Sequence, residues 1–234
     1  MTNTSTGLRE RIRLAFDRAV TPLTDMLVSF GVSANAVTTI GTLVLGGAAV
    51  AYATGAVPVG GGLLILSGAL DMLDGALARR NPDDTRFGAF YDSTLDRIGE
   101  GALFSGLTLF FLNGGVPAPL VEWAVIAALV ALSSGMVVSY VRARAESLGF
   151  ECRVGVLQRA ERMLGLGVPS LLYGLFDTNP GGWLLFSIVT ILAILGVVTV
   201  VQRIVHVHKS AVLAAGPRPV RAGADLLLKG RSGD

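Results

Sequence analysis

Six carboxylates fall within residues 71–96 of an otherwise apolar chain; Asp83 and Asp84 read as solvated turn residues, which leaves Asp71, Asp74, Asp92 and Asp96. Apolar sequence runs towards them almost unbroken from Ala36 and resumes at Ile98. Ionised groups at membrane depth are costly and persist where they face a cavity, a partner or a metal. Asp71 and Asp74 stand at i, i+3, and Asp92 and Asp96 at i, i+4, so on two helices each pair lies on one face. Two such faces meeting would gather four negative charges in one pocket, which is untenable without cations. Hard divalent ions with oxygen ligands, Mg²⁺ or Mn²⁺, answer that need. Helix caps or surface carboxylates could account for Asp71 or Asp96 singly. They do not account for all four beside two small residues and an arginine.

The rest of the chain supplies a membrane frame for these charges. Of its 234 residues 52% are hydrophobic and 15% charged, and the mean hydropathy is +0.63, which points to an integral membrane protein and away from a soluble domain. The 19 Lys and Arg residues are confined to a few clusters, and none occurs in 19–78, 98–141 or 163–202. By the positive-inside rule these clusters mark the cytoplasmic side. The single cysteine, Cys152, excludes an intramolecular disulfide framework and reads as a neutral loop residue. The Arg-rich start leads into a charged amphipathic stretch and not an apolar core, so no secretory signal peptide is expected.

The expected fold is all-α: six transmembrane helices preceded by an amphipathic interfacial helix. Residues 1–32 form a tail and that interfacial helix. Leu8, Ile12, Ala15, Phe16 and Ala19 share a face opposite Arg9, Arg13 and Asp17, and the helix bends near Pro22. The six spans fill 33–208, at roughly 34–54, 59–79, 86–112, 119–142, 158–176 and 183–204. A flexible cytoplasmic tail, 209–234, follows. The outer loops 54–58, 113–118 and 177–182 contain no Lys or Arg, which puts both termini and the carboxylates on the cytoplasmic side. Gly41, Gly46, Gly47, Gly68, Gly75, Gly99, Gly101 and Gly106 read as close-packing positions between membrane helices. Gly75 and Gly88 have a second reading, since a side chain there would crowd a nucleotide.

Chemistry follows from this placement. Carboxylates do not bind phosphate directly, but carboxylate-held metals bridge and neutralise a pyrophosphate. An alcohol attacking phosphorus also needs a base, and Asp96, at the end of the series, is the candidate. Glu100, one turn further, reads as a structural partner. A metal-ion transporter is an alternative of another class, although it has no need of Arg79 or Gly88 at these spacings.

The string D-x-x-D-G-x-x-A-R, eight residues, then G-x-x-x-D-x-x-x-D is filled by Asp71, Asp74, Gly75, Ala78, Arg79, Gly88, Asp92 and Asp96. In this the chain resembles the CDP-alcohol phosphotransferases (CDP-alcohol phosphatidyltransferase class I). The resemblance implies metal-dependent transfer of a phosphatidyl group from CDP-diacylglycerol to an alcohol, with release of CMP. It makes Asp71, Asp74, Asp92 and Asp96 metal ligands for two ions, with Asp96 also the base. Asn35, Thr38, Asp71, Gly75, Ala78, Arg79 and Thr85 would surround the CDP moiety. From Thr21-Pro22 to Gln202-Arg203 the chain is most similar to the members that use inositol 1-phosphate and make phosphatidylinositol phosphate. There Arg142, Arg162 and Arg203 would bind the acceptor phosphate. Arginine suits that role because its fork meets phosphate bidentately. Glycerol 3-phosphate, the phosphatidylglycerophosphate synthase acceptor, is the alternative. Arg144, Arg153 and Arg159 read instead as topology signals touching anionic lipid. The resemblance further implies a homodimer in the cell membrane, with lipid and small substrates as partners and no nucleic acid.

Overall fold

The computed structural model describes residues 21–80, 86–173 and 182–214, and every regular element among them is helical. A helical segment over 21–29 leads into α1 (Ala34–Ala53), α2 (Val57–Ala78), α3 (Arg86–Phe110), α4 (Val121–Ser147), α5 (Arg159–Leu171) and α6 (Trp183–Ala214). The expected amphipathic stretch before residue 21, the turn containing Thr85 and the tail beyond 214 lie outside the described residues. Local chemistry sets the boundaries. Ser33 caps α1 by accepting from the Ala36 N–H at 3.2 Å. Gly55, at φ +80°, closes α1 in a conformation that disfavours residues with a side chain. Pro58 occupies the first turn of α2, where its missing N–H has no intrahelical partner to lose. The Gln158 N–H donates to Glu161 Oε2 at 2.7 Å and starts α5. Two boundaries move outward from expectation: α4 runs to Ser147 and α6 to Ala214, past the expected domain limit at 208.

Packing gathers the site helices. α1 packs along both α2 and α3, α5 lies on α2, and α6 lies on α4. Tyr52, Leu64, Leu107, Phe111, Leu166 and Leu185 fill the centre. Leu43, Val50, Trp123, Ile191 and Leu213 stand exposed on the outside, the inverse of a water-facing surface. Four helical stretches are long and apolar enough to cross a membrane: Ala34–Ala53, Val57–Ala78, Ala118–Ser147 and Trp183–Leu213. The charged first half of α3 keeps it out of that set, and α5 spans only 13 described residues.

The small residues divide into those that touch a neighbour and those that do not. A Cβ at Gly106 would run into the Ala49 backbone of α1, and one at Gly99 into Leu45. At Gly61 it would meet the α5 backbone near Ser170 and Leu171. Gly46 and Gly101, read from sequence as close-packing positions, have nothing within 4 Å of an added Cβ. They point away from the interhelical seams, which the apolar run could not reveal. Gly106→Val is expected to lower the thermal unfolding midpoint of the purified protein, through an overpacking cost of about 1–3 kcal/mol or more. Gly101→Ala leaves it unchanged or raises it, because nothing is displaced and a helix gains a better former.

Candidate active site

The site is built where the last turns of α2 and the first turns of α3 meet under α1. Asp71, Asp74 and Asp92 each bring a carboxylate oxygen within 4.8 Å of the other two. Asp74 is buried, and its Oδ2 accepts from Thr38 Oγ1 of α1 at 2.7 Å. The same hydroxyl lies 3.0 Å from the Ala34 carbonyl, and its one proton goes to the stronger, charged acceptor. Thr38, expected against the nucleotide, thus also aims a carboxylate. Three acceptor-only groups held this close fit a hard divalent cation and little else. Asp71, Asp74 and Asp92 are the residues that would hold it.

Asp96 lies one turn deeper and is engaged differently. Its Oδ1 is 2.6 Å from Arg159 Nη2, and its Oδ2 is 3.4 Å from Arg97 Nη2. The other nitrogen of the Arg159 fork, Nη1, pairs with Asp71 Oδ1. Arg159 is therefore no membrane-surface topology signal, as its place in a basic segment suggested. It reaches in from the first turn of α5 and ties α2 to α3. The signal that could have found it is spacing: Arg159 and Arg162 stand at i, i+3 on α5, so if one faces inward the other does too.

The arginines expected at the acceptor occupy three different settings. Arg162 is buried, and its Nη2 lies 2.8 Å from Glu100 Oε1. Arg203 is buried, donating from Nη1 to the Val138 carbonyl at 2.6 Å and from Nε to the Val154 carbonyl at 2.9 Å. Arg142 is about half exposed and donates from Nε to Glu146 at 2.9 Å. Arg203 lies within electrostatic reach of both Arg142 and Arg162. Side chains of α6 also hold the loop before α5. The Leu157 N–H donates to Thr199 and the Val156 N–H to Gln202, and Cys152 is buried within this loop.

Asn35 sits half-buried in the first turn of α1, and Ala78 is likewise half-buried. Arg79 is exposed and caps α2. A Cβ at Gly75 would meet only the Arg79 guanidinium, at 3.5 Å, so no helix contact demands glycine there. Arg159, Asp71, Asp96 and Thr38 also line a small polar cavity with Ser67 and Gly41.

A family model described as CDP-alcohol phosphatidyltransferase matches residues 31–205. The chain is 38% identical to an archaetidylinositol phosphate synthase of Methanothermobacter thermautotrophicus, over 88% of this chain and 97% of that one. It is 38% identical to a phosphatidylinositol phosphate synthase of Streptomyces avermitilis, over 87% and 84%. Among solved structures it resembles Mycobacterium tuberculosis phosphatidylinositol phosphate synthase (PgsA1) with CDP-DAG bound. That match has a TM-score of 0.68 and 34% identity, covering 81% of this chain and 94% of that one. The same relative was also solved with manganese and citrate.

Replacing Thr38 by Val keeps the volume and removes the hydroxyl that donates to Asp74. Loss of such a supporting hydrogen bond is expected to weaken divalent-cation affinity about 10–100-fold, read by Mn²⁺ titration of the purified protein, with Thr38→Ser retaining most of it.

Proposed function

From the premise that this chain belongs to the CDP-alcohol phosphatidyltransferase family, we propose that it transfers the phosphatidyl group of CDP-diacylglycerol to inositol 1-phosphate, yielding phosphatidylinositol phosphate and CMP. One observation carries the acceptor half of this reading. A carboxylate cluster on α2 and α3 lies beside Arg159 and Arg162 of α5, charges of opposite sign. A neutral acceptor has no use for the arginines, whereas a phosphorylated polyol is held by charge-assisted hydrogen bonds. Buried Nε donors on Arg159 and Arg162, without a hydrogen-bond partner among the described residues, support an anion beside them. The relatives are named as synthases of archaetidylinositol phosphate or phosphatidylinositol phosphate, which supports a site that reads the shared polar chemistry and not the tails. Family membership sets aside the transporter reading.

Asp71, Asp74 and Asp92 would hold the divalent metal, Mg²⁺ or Mn²⁺, with Asp96 shared by a second ion. When bound, the metal draws the pyrophosphate of the donor to the carboxylates and offsets charge on its oxygens. The chain's own residues do the rest. Asn35, Thr38, Asp71, Gly75, Ala78, Arg79 and Thr85 accommodate the CDP moiety. Arg142, Arg162 and Arg203 orient the acceptor by its phosphate, which turns a two-body encounter into a positioned attack. The acceptor hydroxyl oxygen bonds to the lipid-side phosphorus, the bond to the CMP oxygen breaks, and Asp96 takes the hydroxyl proton. Arg159 keeps Asp96 in place for that step.

The reading extends to the membrane. The chain is a multi-pass membrane enzyme with four helices apolar enough to cross. In the proposal α3 and α5 complete six spans over 33–208, an interfacial helix within 1–32 precedes them, and 209–234 is a cytoplasmic extension. The Arg clusters at 79–97, 142–162 and from 203 support a cytoplasmic site and cytoplasmic termini. Assembly as a homodimer follows from the family resemblance.

Asp96→Asn is expected to cut turnover by about 10²–10⁴-fold or more while CDP-diacylglycerol still stabilises the protein thermally. Near-normal CMP release by the purified variant would remove Asp96 from its role. In a panel of acceptors with CDP-diacylglycerol, inositol 1-phosphate should release CMP faster than free inositol or glycerol 3-phosphate. A wild-type preference for glycerol 3-phosphate would leave the family reaction standing and replace the acceptor.

A further inference from the structure

Arg162 is an arginine that its surroundings ought to expel. It is 7% exposed, and Arg97, Arg159 and Arg203 all act on it as like charges. The attractive charge facing it is Glu100, itself 4% exposed, with Oε1 at 2.8 Å from Nη2. Glu100 is in turn steadied by Arg97, whose Nε is 3.5 Å from its second oxygen. On the far side of the guanidinium lies Gly135 of α4, itself buried. A Cβ there would occupy the position of Nη1. Arg162 therefore stands in a slot with a charged wall on α3 and a floor on α4 that glycine alone leaves open. Neither Glu100 nor Gly135 belongs to the aspartate motif, and neither is assigned a part in the chemistry above.

The geometry points to Glu100 and Gly135 as positioning residues for the acceptor phosphate: the two place the Arg162 guanidinium, one by charge and one by vacated volume. This rests on the reading that Arg162 binds the acceptor. Its consequence is specific. An alanine at 135 meets the far end of a flexible side chain, not backbone, so the protein folds and the guanidinium is what moves. A glutamine at 100 keeps the shape and an acceptor oxygen but withdraws the charge that holds Arg162 against its three like neighbours.

The test compares Gly135→Ala, Glu100→Gln and Arg162→Ala in the purified full-length enzyme with its divalent ion, CDP-diacylglycerol and inositol 1-phosphate. Each variant should raise the KM for inositol 1-phosphate by about tenfold or more. The KM for CDP-diacylglycerol should stay within about twofold of wild type. Gly135→Ala combined with Arg162→Ala should be no worse than Arg162→Ala alone, because both remove the same contact. Thermal stabilisation by CDP-diacylglycerol reports that each variant is folded, and Glu100→Gln carries the test should Gly135→Ala not fold. The inference falls if Arg162→Ala raises the acceptor KM while Gly135→Ala and Glu100→Gln do not. It falls equally if they weaken donor and acceptor alike, or if the Gly135 and Arg162 effects add. An unchanged acceptor KM in Arg162→Ala would instead overturn the acceptor site itself and this inference with it.

Discussion

Negative charge held inside a helical bundle is what the rest of this structure answers to. Asp71, Asp74, Asp92, Asp96 and Glu100 come from two adjacent helices. Moving such groups from water into an apolar interior costs several kcal/mol each unless partners replace the lost hydration. The partners present are Arg97, Arg159 and Arg162, which pair with Asp71, Asp96 and Glu100. Asp74 takes a hydroxyl from Thr38. The trio of Asp71, Asp74 and Asp92 retains a concentration of carboxylate oxygen suited to a divalent ion.

That electrostatic requirement explains the roles of two otherwise dissimilar helices. α1 carries no charged residue, yet it packs on both acidic helices and brings Thr38 to the cluster. Its close approach depends on small residues such as Gly106, against which its backbone at Ala49 rests. α5 is the shortest of the six, but its first two turns deliver Arg159 to the aspartates and Arg162 to Glu100. Position along α5 thus sorts the site into an aspartate half, reached by Arg159, and a glutamate half, reached by Arg162. α3 runs through both halves, since Asp92, Asp96, Arg97 and Glu100 follow one another within a few turns. Thr199, Gln202 and Arg203 of α6 hold the loop that leads into α5.

The division of labour has a physical cost that the fold distributes. A buried arginine donating to backbone carbonyls, as Arg203 does to Val138 and Val154, gives up donors that would otherwise meet a ligand. In return it joins α4, α6 and the intervening loop at the end of the bundle where the charges lie. Arg142, half exposed beside Glu146, is its counterpart at the rim, held by an i, i+4 pair of the kind worth only a few tenths of a kcal/mol.

Sequence alone determined the features whose physics is local. Helical spacing placed each aspartate pair on one face, the absence of charge over long stretches marked the apolar helices, and Ser33, Gly55 and Pro58 set their ends. These follow from bonds and sterics within a few residues, so no partner helix is needed to read them. The tertiary structure decided how each helix is rotated about its own axis. A turn of α5 that faces lipid would make Arg159 the membrane-surface residue it resembles in sequence; packed on α2, the same turn drives it into the aspartates. Rotation likewise decided that Gly106 lies in a seam while Gly101 does not, and that Thr38 meets Asp74. An apolar run in a membrane protein looks the same whether it faces lipid or another helix, because both surroundings are equally apolar. Only contact between helices distinguishes the two.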